Sequence, residues 1–333
     1  PLTPPPPLGM PPDSDDDEVV ITDEKVGDKR GRSAPPRDQA KAEGSSRAQG
    51  PPSTSSTPTP PVFRLLWTKG LPPRDNAGCV KITDVVDGDI ICAIVMNFAV
   101  DLQWFLSAAP TLRNTPTILI HGGGGGPKLN AEMPSTWTEF RPHCETYGTH
   151  HTKAFVLFYP TGVRVCVLTA NLSQGDWEQK SQGCWMVDCP LKPRQDPGAK
   201  VAPASEFEDD LVRYLGAVVD EKGRGWWTKL SGGGTPDTLH RVTPDTLRNY
   251  DFSAAGVKLI GSVPGRHHGA SLSRWGHMAV RAALQKERFP KRFIRTPHLW
   301  QFSSFSNTKK NQHEDYLRQL QVSFSFGTVE LEQ

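Results

Sequence analysis

The sequence predicts a mixed α/β sandwich preceded by a disordered tail. Three observations support this prediction. Segments of strand length alternate with segments of helix length after residue 62, as they do in mixed α/β folds. The run 117–120 is continuously apolar, which is typical of a strand buried on both faces. The first 62 residues contain neither an aromatic residue nor a cysteine.

Residues 1–62 have the composition of a disordered segment. They hold 14 of the 31 prolines, and they offer too little apolar surface to offset the entropy of ordering the chain. They also carry 7 Lys and Arg against 10 Asp and Glu, which leaves 31 against 26 in the remainder. The predicted folded part is therefore mildly basic, which is compatible with a nucleic-acid partner. We expect the folded part to begin at Phe63.

The tail contains one patterned segment. Val19, Val20 and Ile21 are preceded by the acidic run 13–18 and followed by Asp23 and Glu24. The pattern resembles a SUMO-interacting motif, in which a short apolar strand adds to the edge of a sheet and flanking acids face a basic rim. A solvated acidic tail with a chance apolar run is the alternative.

The first part of the predicted fold contains mostly strands. Residues 89–97 read as a helix or a strand, because periodicity does not separate the two. Residues 117–120 form a strand that ends at His121, and the glycines at 122–126 are interpreted as a flexible connector. They lack the Gly-Lys-Ser/Thr ending of a nucleotide loop. Two β-branched runs, 154–159 and 163–168, flank Pro160 and Gly162 and predict a hairpin.

The later elements are mostly helical. Residues 205–219 predict a helix that begins with a capping box of Ser205 and Glu208. Residues 257–262 predict a further strand, and residues 275–288 predict a helix with alanines and a leucine on one face.

The cysteines and the hydropathy pattern exclude several classes of protein. The six cysteines show no zinc-ligand spacing, and no apolar run is long enough to cross a bilayer. We therefore expect no metal, no cofactor and no membrane, and a reducing compartment such as the cytosol or the nucleus.

One group of residues could act on a phosphodiester. His151 and Lys153 lie two residues apart, so in a strand they would project from the same face. The predicted hairpin returns the chain so that Asn171 lies beside them. An imidazole can attack phosphorus, while an ammonium and an amide hold the phosphate oxygens. By itself, a His-x-Lys pair is equally well explained as two surface residues on an edge strand.

The surrounding residues resemble a known family. The segments 147–153, 163–172 and 176–183 resemble the first half of the tyrosyl-DNA phosphodiesterase family, which belongs to the phospholipase D superfamily. The later segments 260–266, 274–277 and 301–304 are similar to further landmarks of that family. The resemblance spans roughly Phe63 to Ser306. It implies one α/β/α half-domain, the first phospholipase D-like catalytic half, at 63–306, followed by a divergent or truncated C-terminus at 307–333.

The resemblance implies a role for each matching residue. His151 is the expected nucleophile, Lys153 and Asn171 the expected phosphate ligands, and Gln182 the amide that orients an opposing histidine. The other expected contacts are with DNA: the aromatic residues Tyr147 and Phe98 and the hydroxyls of Ser303, Ser304 and Ser306. The implied substrate is DNA that carries a 3′ adduct, including peptides derived from topoisomerase I, and the implied compartment is the nucleus.

The resemblance also implies a second half, which would supply another His-x-Lys to protonate the leaving group. None of the nine other histidines is followed two positions later by lysine: His121, His143, His150, His240, His267, His268, His277, His298 and His313. We therefore expect a truncated enzyme that holds half of the active site. The alternative is a non-catalytic or homodimeric half-site protein that binds DNA ends and is recruited through the SUMO-binding tail.

Overall fold

The computed structural model describes residues 62–124, 133–144, 148–193, 204–219, 242–293, 296–300, 310–325 and 328–329. The strands in these ranges are β1 Val62–Leu65, β2 Cys92–Ala99, β3 Thr117–Gly124, β4 Trp137–Phe140, β5 Ala154–Tyr159, β6 Gly162–Leu168, β7 Gly183–Pro190, β8 Arg288–Phe289 and β9 Thr328–Val329. The α-helices are α1 Ile82–Val85, α2 Leu102–Ala108, α3 Gln174–Glu178, α4 Glu206–Val218, α5 Gly276–Leu284 and α6 Lys310–Phe324. Four 3₁₀ turns lie at Pro110–Arg113, Pro244–Asn249, Gly269–Ser271 and Lys291–Phe293.

Seven of the strands form one mixed sheet. Its order is β1-β7-β6-β5-β2-β3-β4. Strand β3 runs parallel to both β2 and β4, whereas β5, β6, β7 and β1 continue the sheet in antiparallel fashion. Strands β8 and β9 pair separately in parallel. The predicted mixed sheet is therefore confirmed, and the ambiguous run 89–97 contributes the strand β2.

Hydrophobic residues cover both faces of the central strands, as expected for the middle layer of a sandwich. In β2 the side chains of Cys92, Ile94 and Met96 join one core cluster, which includes α4 and the turn Pro244–Asn249. Alternate residues, Ala93 and Val95, join a second cluster with α1, α2 and the turn Pro110–Arg113. This alternation follows from the two-residue period of a strand. The predicted α/β/α arrangement is confirmed.

The predicted hairpin and the predicted capped helix are both present. Strands β5 and β6 pair from Tyr159↔Gly162 to Ala154↔Val167. Helix α4 begins after Ser205, whose hydroxyl accepts the backbone N–H of Glu208 at 3.1 Å. The Glu208 carboxylate pairs with Lys192 Nζ at 2.8 Å.

Three predicted elements differ from the structure. Residues 257–262 form no strand, because the segment crosses a face of the sheet; Leu259 and Val263 pack on the first core cluster. The predicted helix at 275–288 is shorter, since α5 ends at Leu284. The glycines 122–124 belong to β3 and do not form a connector; Gly125 and Gly126 lie outside the described residues.

The ends of the five strands that carry the candidate site lie at one edge of the sheet. The last residues of β2, β3 and β6 lie there together with the first residues of β5 and β7, because β5 is antiparallel to both β2 and β6. The registers Met96↔Ala154, Ala154↔Val167 and Leu168↔Cys184 fix this alignment. Segments next to these residues, including 148–153 and 169–182, therefore meet at this edge.

Candidate functional site

His151 and Lys153 lie side by side in the segment that leads into β5. Lys153 Nζ is 3.1 Å from His151 Nδ1 and donates to the His151 carbonyl oxygen at 3.3 Å. The segment is not a strand, so the predicted alternation does not bring them together; β5 begins at Ala154. The Lys153 carbonyl nevertheless accepts Leu168 N–H at 2.8 Å, which anchors the segment to the end of β6.

The environment of the two side chains sets their charge. The imidazole of His151 is exposed, whereas Lys153 is buried. Partial burial and, secondarily, the Lys153 charge lower the pKa of His151, which favours the neutral imidazole that a nucleophile requires. Burial also lowers the pKa of Lys153, and the nearby Asp176 carboxylate acts in the opposite direction.

Phe98 packs on the imidazole. Its ring centroid is 4.6 Å from that of His151, with an interplanar angle of 34°, and Lys153 Nζ is 5.8 Å from the centroid. The register of β2 shifts between Asn97 and Ala99, and Asn97 Nδ2 donates to the Ala170 carbonyl at 3.3 Å. This irregular strand end fixes the place of Phe98, which therefore contacts the predicted nucleophile. Its predicted contact with DNA stays a prediction.

Asn171 lies on the neighbouring turn, between β6 and α3. Its backbone N–H donates to Asp176 Oδ2 at 2.7 Å, and Asp176 Oδ1 accepts from Lys180 Nζ at 2.8 Å. A bridge between Val100 and Leu172 ties the same turn to the end of β2. Within the described residues, Asn171 Oδ1 is buried without a hydrogen-bond partner. The structure thus places Asn171 at the same sheet edge as His151 and Lys153.

Gln182 precedes β7 at this edge, and a threonine holds its amide. Thr169 Oγ1 donates to Gln182 Oε1 at 2.5 Å and accepts Gly183 N–H at 2.8 Å. With its oxygen bound in this way, the side chain is left to act through its NH₂ group. This geometry is compatible with the predicted orienting role, which stays a prediction.

The residue before the predicted nucleophile is deeply buried. His150 is 2% exposed, and burial, followed by the charges of His121, His151 and Lys153, lowers its pKa to about 4. The backbone at His150 lies so close to β3 that a Cβ on Gly122 would be 2.3 Å from the His150 carbonyl oxygen. The contact requires a glycine at position 122 and seats the segment 148–153 on the end of the strand.

Sequence reasoning missed the charged residues that support the site. Asp176 holds the Asn171 turn, and His121 pairs with Glu139 at 2.7 Å at the ends of β3 and β4. Glu139 also accepts from Arg141 Nε at 2.8 Å. No motif in the sequence singled these residues out: Asp176 lies five positions after Asn171, and Glu139 lies 18 positions after His121 on the neighbouring strand.

A cavity of about 560 Å³ opens beside the nucleophile segment. Its rim carries His151 and Lys153, and the segment 259–264 forms one wall. Tyr214 lines it and its hydroxyl bonds the hydroxyl of Thr152. The predicted catalytic imidazole therefore faces an open cleft and does not lie in dry packing.

Several predicted residues lie outside the described part of the chain. They are Tyr147, Ser303, Ser304 and Ser306, the tail residues Val19, Val20 and Ile21, and the rest of the tail up to residue 61. Among the described residues, no helix is long and apolar enough to cross a membrane. The same residues contain no group of three or more His, Cys, Asp or Glu side chains that could hold a metal ion.

The sequence matches the family described as "Tyrosyl-DNA phosphodiesterase" over residues 62–331. The chain belongs to the tyrosyl-DNA phosphodiesterase family. It is 40% identical over 275 residues to Tyrosyl-DNA phosphodiesterase 1 of Arabidopsis thaliana, covering 81% of this chain and 43% of that protein. The Drosophila melanogaster protein of the same name is 28% identical over 240 residues, covering 69% of this chain and 38% of that protein.

The crystal structure of yeast tyrosyl-DNA phosphodiesterase shares the fold. The TM-score is 0.50 at 15% sequence identity, over 68% of this chain and 49% of that chain. The resemblance to the tyrosyl-DNA phosphodiesterase family is thus confirmed, and so is the mixed α/β fold. The chain spans less than half the length of the curated relatives it matches.

Proposed function

We propose that this chain carries the first half of a DNA-repair phosphodiesterase site, which acts on 3′-phosphotyrosyl and related 3′-blocked DNA ends. The observation that supports this most directly is the pair of Lys153 Nζ and His151 Nδ1 at 3.1 Å, on the rim of an open cleft. Asn171 at the same sheet edge supplies the amide, and the family membership supplies the substrate class.

The proposed chemistry begins with a neutral His151. Its Nε2 lone pair attacks phosphorus, the bond from phosphorus to the tyrosyl oxygen breaks, and a phosphohistidine forms. In the structure Lys153 contacts Nδ1. Attack through Nε2 requires the imidazole proton on Nδ1, so Lys153 must turn from the imidazole to the phosphate. A bound phosphate favours this turn, because it offers the ammonium an anionic partner in place of a neutral ring nitrogen.

A chain that holds half of the active site should release the phosphohistidine more slowly than it forms it. The departing tyrosyl oxygen takes up a proton, and water must be activated to release the phosphohistidine. Gln182 is proposed to orient the histidine that performs both tasks. Loss of a general acid or base typically lowers a rate about 10²–10⁴-fold. A tyrosyl oxygen, with an ordinary pKa of about 10, can leave without a proton, whereas water attacks poorly without a base. We therefore expect the covalent adduct to accumulate on this chain alone.

The test is an oligonucleotide that carries a 3′-phosphotyrosyl group, incubated with the full chain in the presence of a chelator. A covalent protein–DNA adduct should form with the native chain and with His143→Ala, which alters an exposed histidine outside the cleft. The adduct should be absent with His151→Ala. Equal adduct in all three proteins would refute the nucleophile. Tight binding of the DNA end without any adduct would instead favour the adaptor alternative.

The tail and the compartment belong to the same proposal. Val19, Val20 and Ile21 are proposed to recruit SUMO or SUMO-modified proteins, and the DNA substrate implies a nuclear location. The motif should lose SUMO binding when Val20→Ala and Ile21→Ala are combined, and binding that persists would exclude strand addition.

A further inference from the structure

Asp176 is a buried carboxylate to which the proposed reaction assigns no task. It is 6% exposed and lies in the first turn of α3, where its backbone N–H is bound by Ser173 Oγ at 3.3 Å. A buried carboxylate is costly unless hydrogen bonds and opposite charge compensate it. Here the backbone N–H of Asn171 and the ammonium of Lys180 do so, at 2.7 and 2.8 Å.

The first of these contacts fixes a proposed phosphate ligand. The bond from Asn171 N–H to Asp176 closes a short turn between β6 and α3. The Asn171 side-chain oxygen is buried and has no hydrogen-bond partner among the described residues. The backbone contact with Asp176 therefore does much to determine where the Asn171 amide points.

The negative charge of Asp176 also acts on Lys153 and raises the pKa of its ammonium group. Lys153 is 7% exposed, and the groups around it are the imidazoles of His150 and His151, the Asp176 carboxylate and the ring of Phe98. Burial lowers the pKa of Lys153, the charge of Asp176 raises it, and both histidines have a lowered pKa and thus favour the neutral form. Lys180 binds the Oδ1 atom of Asp176 and partly neutralises that carboxylate.

We propose that Asp176 is a positioning residue for the phosphate site: its carboxylate fixes the Asn171 turn and supplies the negative charge that balances the partly buried Lys153 ammonium. This inference rests on the proposed function for its biological purpose. Its two physical parts, the turn and the charge balance, can each be measured without any catalytic turnover.

The first measurement is the NMR titration of Lys153 in the full chain labelled with ¹⁵N-lysine, with Lys153→Arg used to assign the signal. Asp176→Asn should move the midpoint of the Lys153 titration to lower pH. The matched control is Glu178→Gln in the same helix, whose partner is Gln174 Nε2 at 3.0 Å; it should leave the midpoint in place. An unchanged midpoint in a folded Asp176→Asn protein overturns the inference, as does an equal shift in the control.

A second variant covers the case in which Asp176→Asn does not fold. Lys180 is 64% exposed, so Lys180→Gln is compatible with the fold. It removes a cation from Asp176 and should move the Lys153 midpoint to higher pH, opposite to Asp176→Asn. A midpoint that stays or falls contradicts the proposed balance of charge.

Sulfate binding tests the turn, because the charge of sulfate is constant from pH 6 to pH 10. At pH 6, Asp176→Asn should bind sulfate roughly tenfold more weakly, since a neutral amide oxygen holds the Asn171 N–H less strongly than the carboxylate does. The defect should grow toward pH 10, and in the Lys153→Arg background it should be independent of pH. If the native chain does not bind sulfate at this edge, the phosphate site of the proposed function is wrong, while the Lys153 titration still decides the charge balance.

Discussion

Replacing His150 by glutamine should make the unfolding free energy less sensitive to acid. His150 is 2% exposed, and its Nε2 atom has no hydrogen-bond partner in the described part of the chain. Burial is the largest cause that lowers its pKa, and the charges of His121, His151 and Lys153 add to it. The folded protein therefore holds this imidazole neutral at a pH where the unfolded chain binds a proton.

The magnitude follows from the two pKa values. The pKa of His150 falls from 6.5 to about 4, and this gap corresponds to roughly 3 kcal/mol of unfolding free energy. Above pH 6.5 both states leave the imidazole neutral, and the full stability is present. Between pH 6.5 and pH 4 the unfolded state binds more protons, so the unfolding free energy decreases as the pH falls.

The assay is urea unfolding of the full chain at pH 7, 5.5 and 4.5, followed by tryptophan fluorescence. Carboxylates also titrate in this range, so the informative quantity is the difference between variants. His150→Gln should lose less stability between pH 7 and pH 4.5 than the native chain, by roughly 2–3 kcal/mol. The control His143→Gln, at an exposed histidine, should follow the native curve. Parallel curves for His150→Gln and the native chain would refute the reasoning.

Three further substitutions test the packing that supports the site. Arg164→Met should lower the unfolding free energy by about 3–5 kcal/mol in urea titrations, because it leaves Asp188 buried without the Arg164 guanidinium, which lies 2.6 Å away in the native chain. Combining it with Asp188→Leu should restore most of the lost stability. A small loss of stability in Arg164→Met alone would contradict this reasoning. Gly261→Ala should cost about 1–3 kcal/mol, because the added Cβ would lie 2.5 Å from Tyr214 Cδ2. Gly216→Ala in α4 has open space around its Cβ and should stabilise the chain by about 0.5–1 kcal/mol in the same titration; a loss there would show that α4 packs differently.

The local features of the fold were predictable from the sequence. The hairpin of β5 and β6 and the cap of α4 depend on residues that are neighbours in the chain, and both are present. The strand 257–262 was predicted from the same kind of pattern and is absent. Its apolar residues serve as a cover over the sheet face and pack on the core, and an apolar run does not reveal which kind of burial it will have.

The candidate site likewise has residues that the sequence predicts and contacts that only the structure shows. His151, Lys153 and Asn171 could be singled out because their types and order match a family, and the structure places them at one sheet edge. Phe98 was expected to contact DNA, and only the structure shows its ring on His151. The contact joins the end of β2 to the segment before β5, which are about fifty residues apart in the chain.

The sequence by itself determined the hairpin of β5 and β6, the nucleophile segment and the family. The tertiary structure decided which charges support that segment: Asp176 near Lys153, Glu139 beside His121, and the burial that keeps His150 neutral. The physical reason is that periodicity and capping act between near neighbours in the chain. Charge balance and desolvation depend on whichever groups the folded sheet brings together, and those groups carry no local signal.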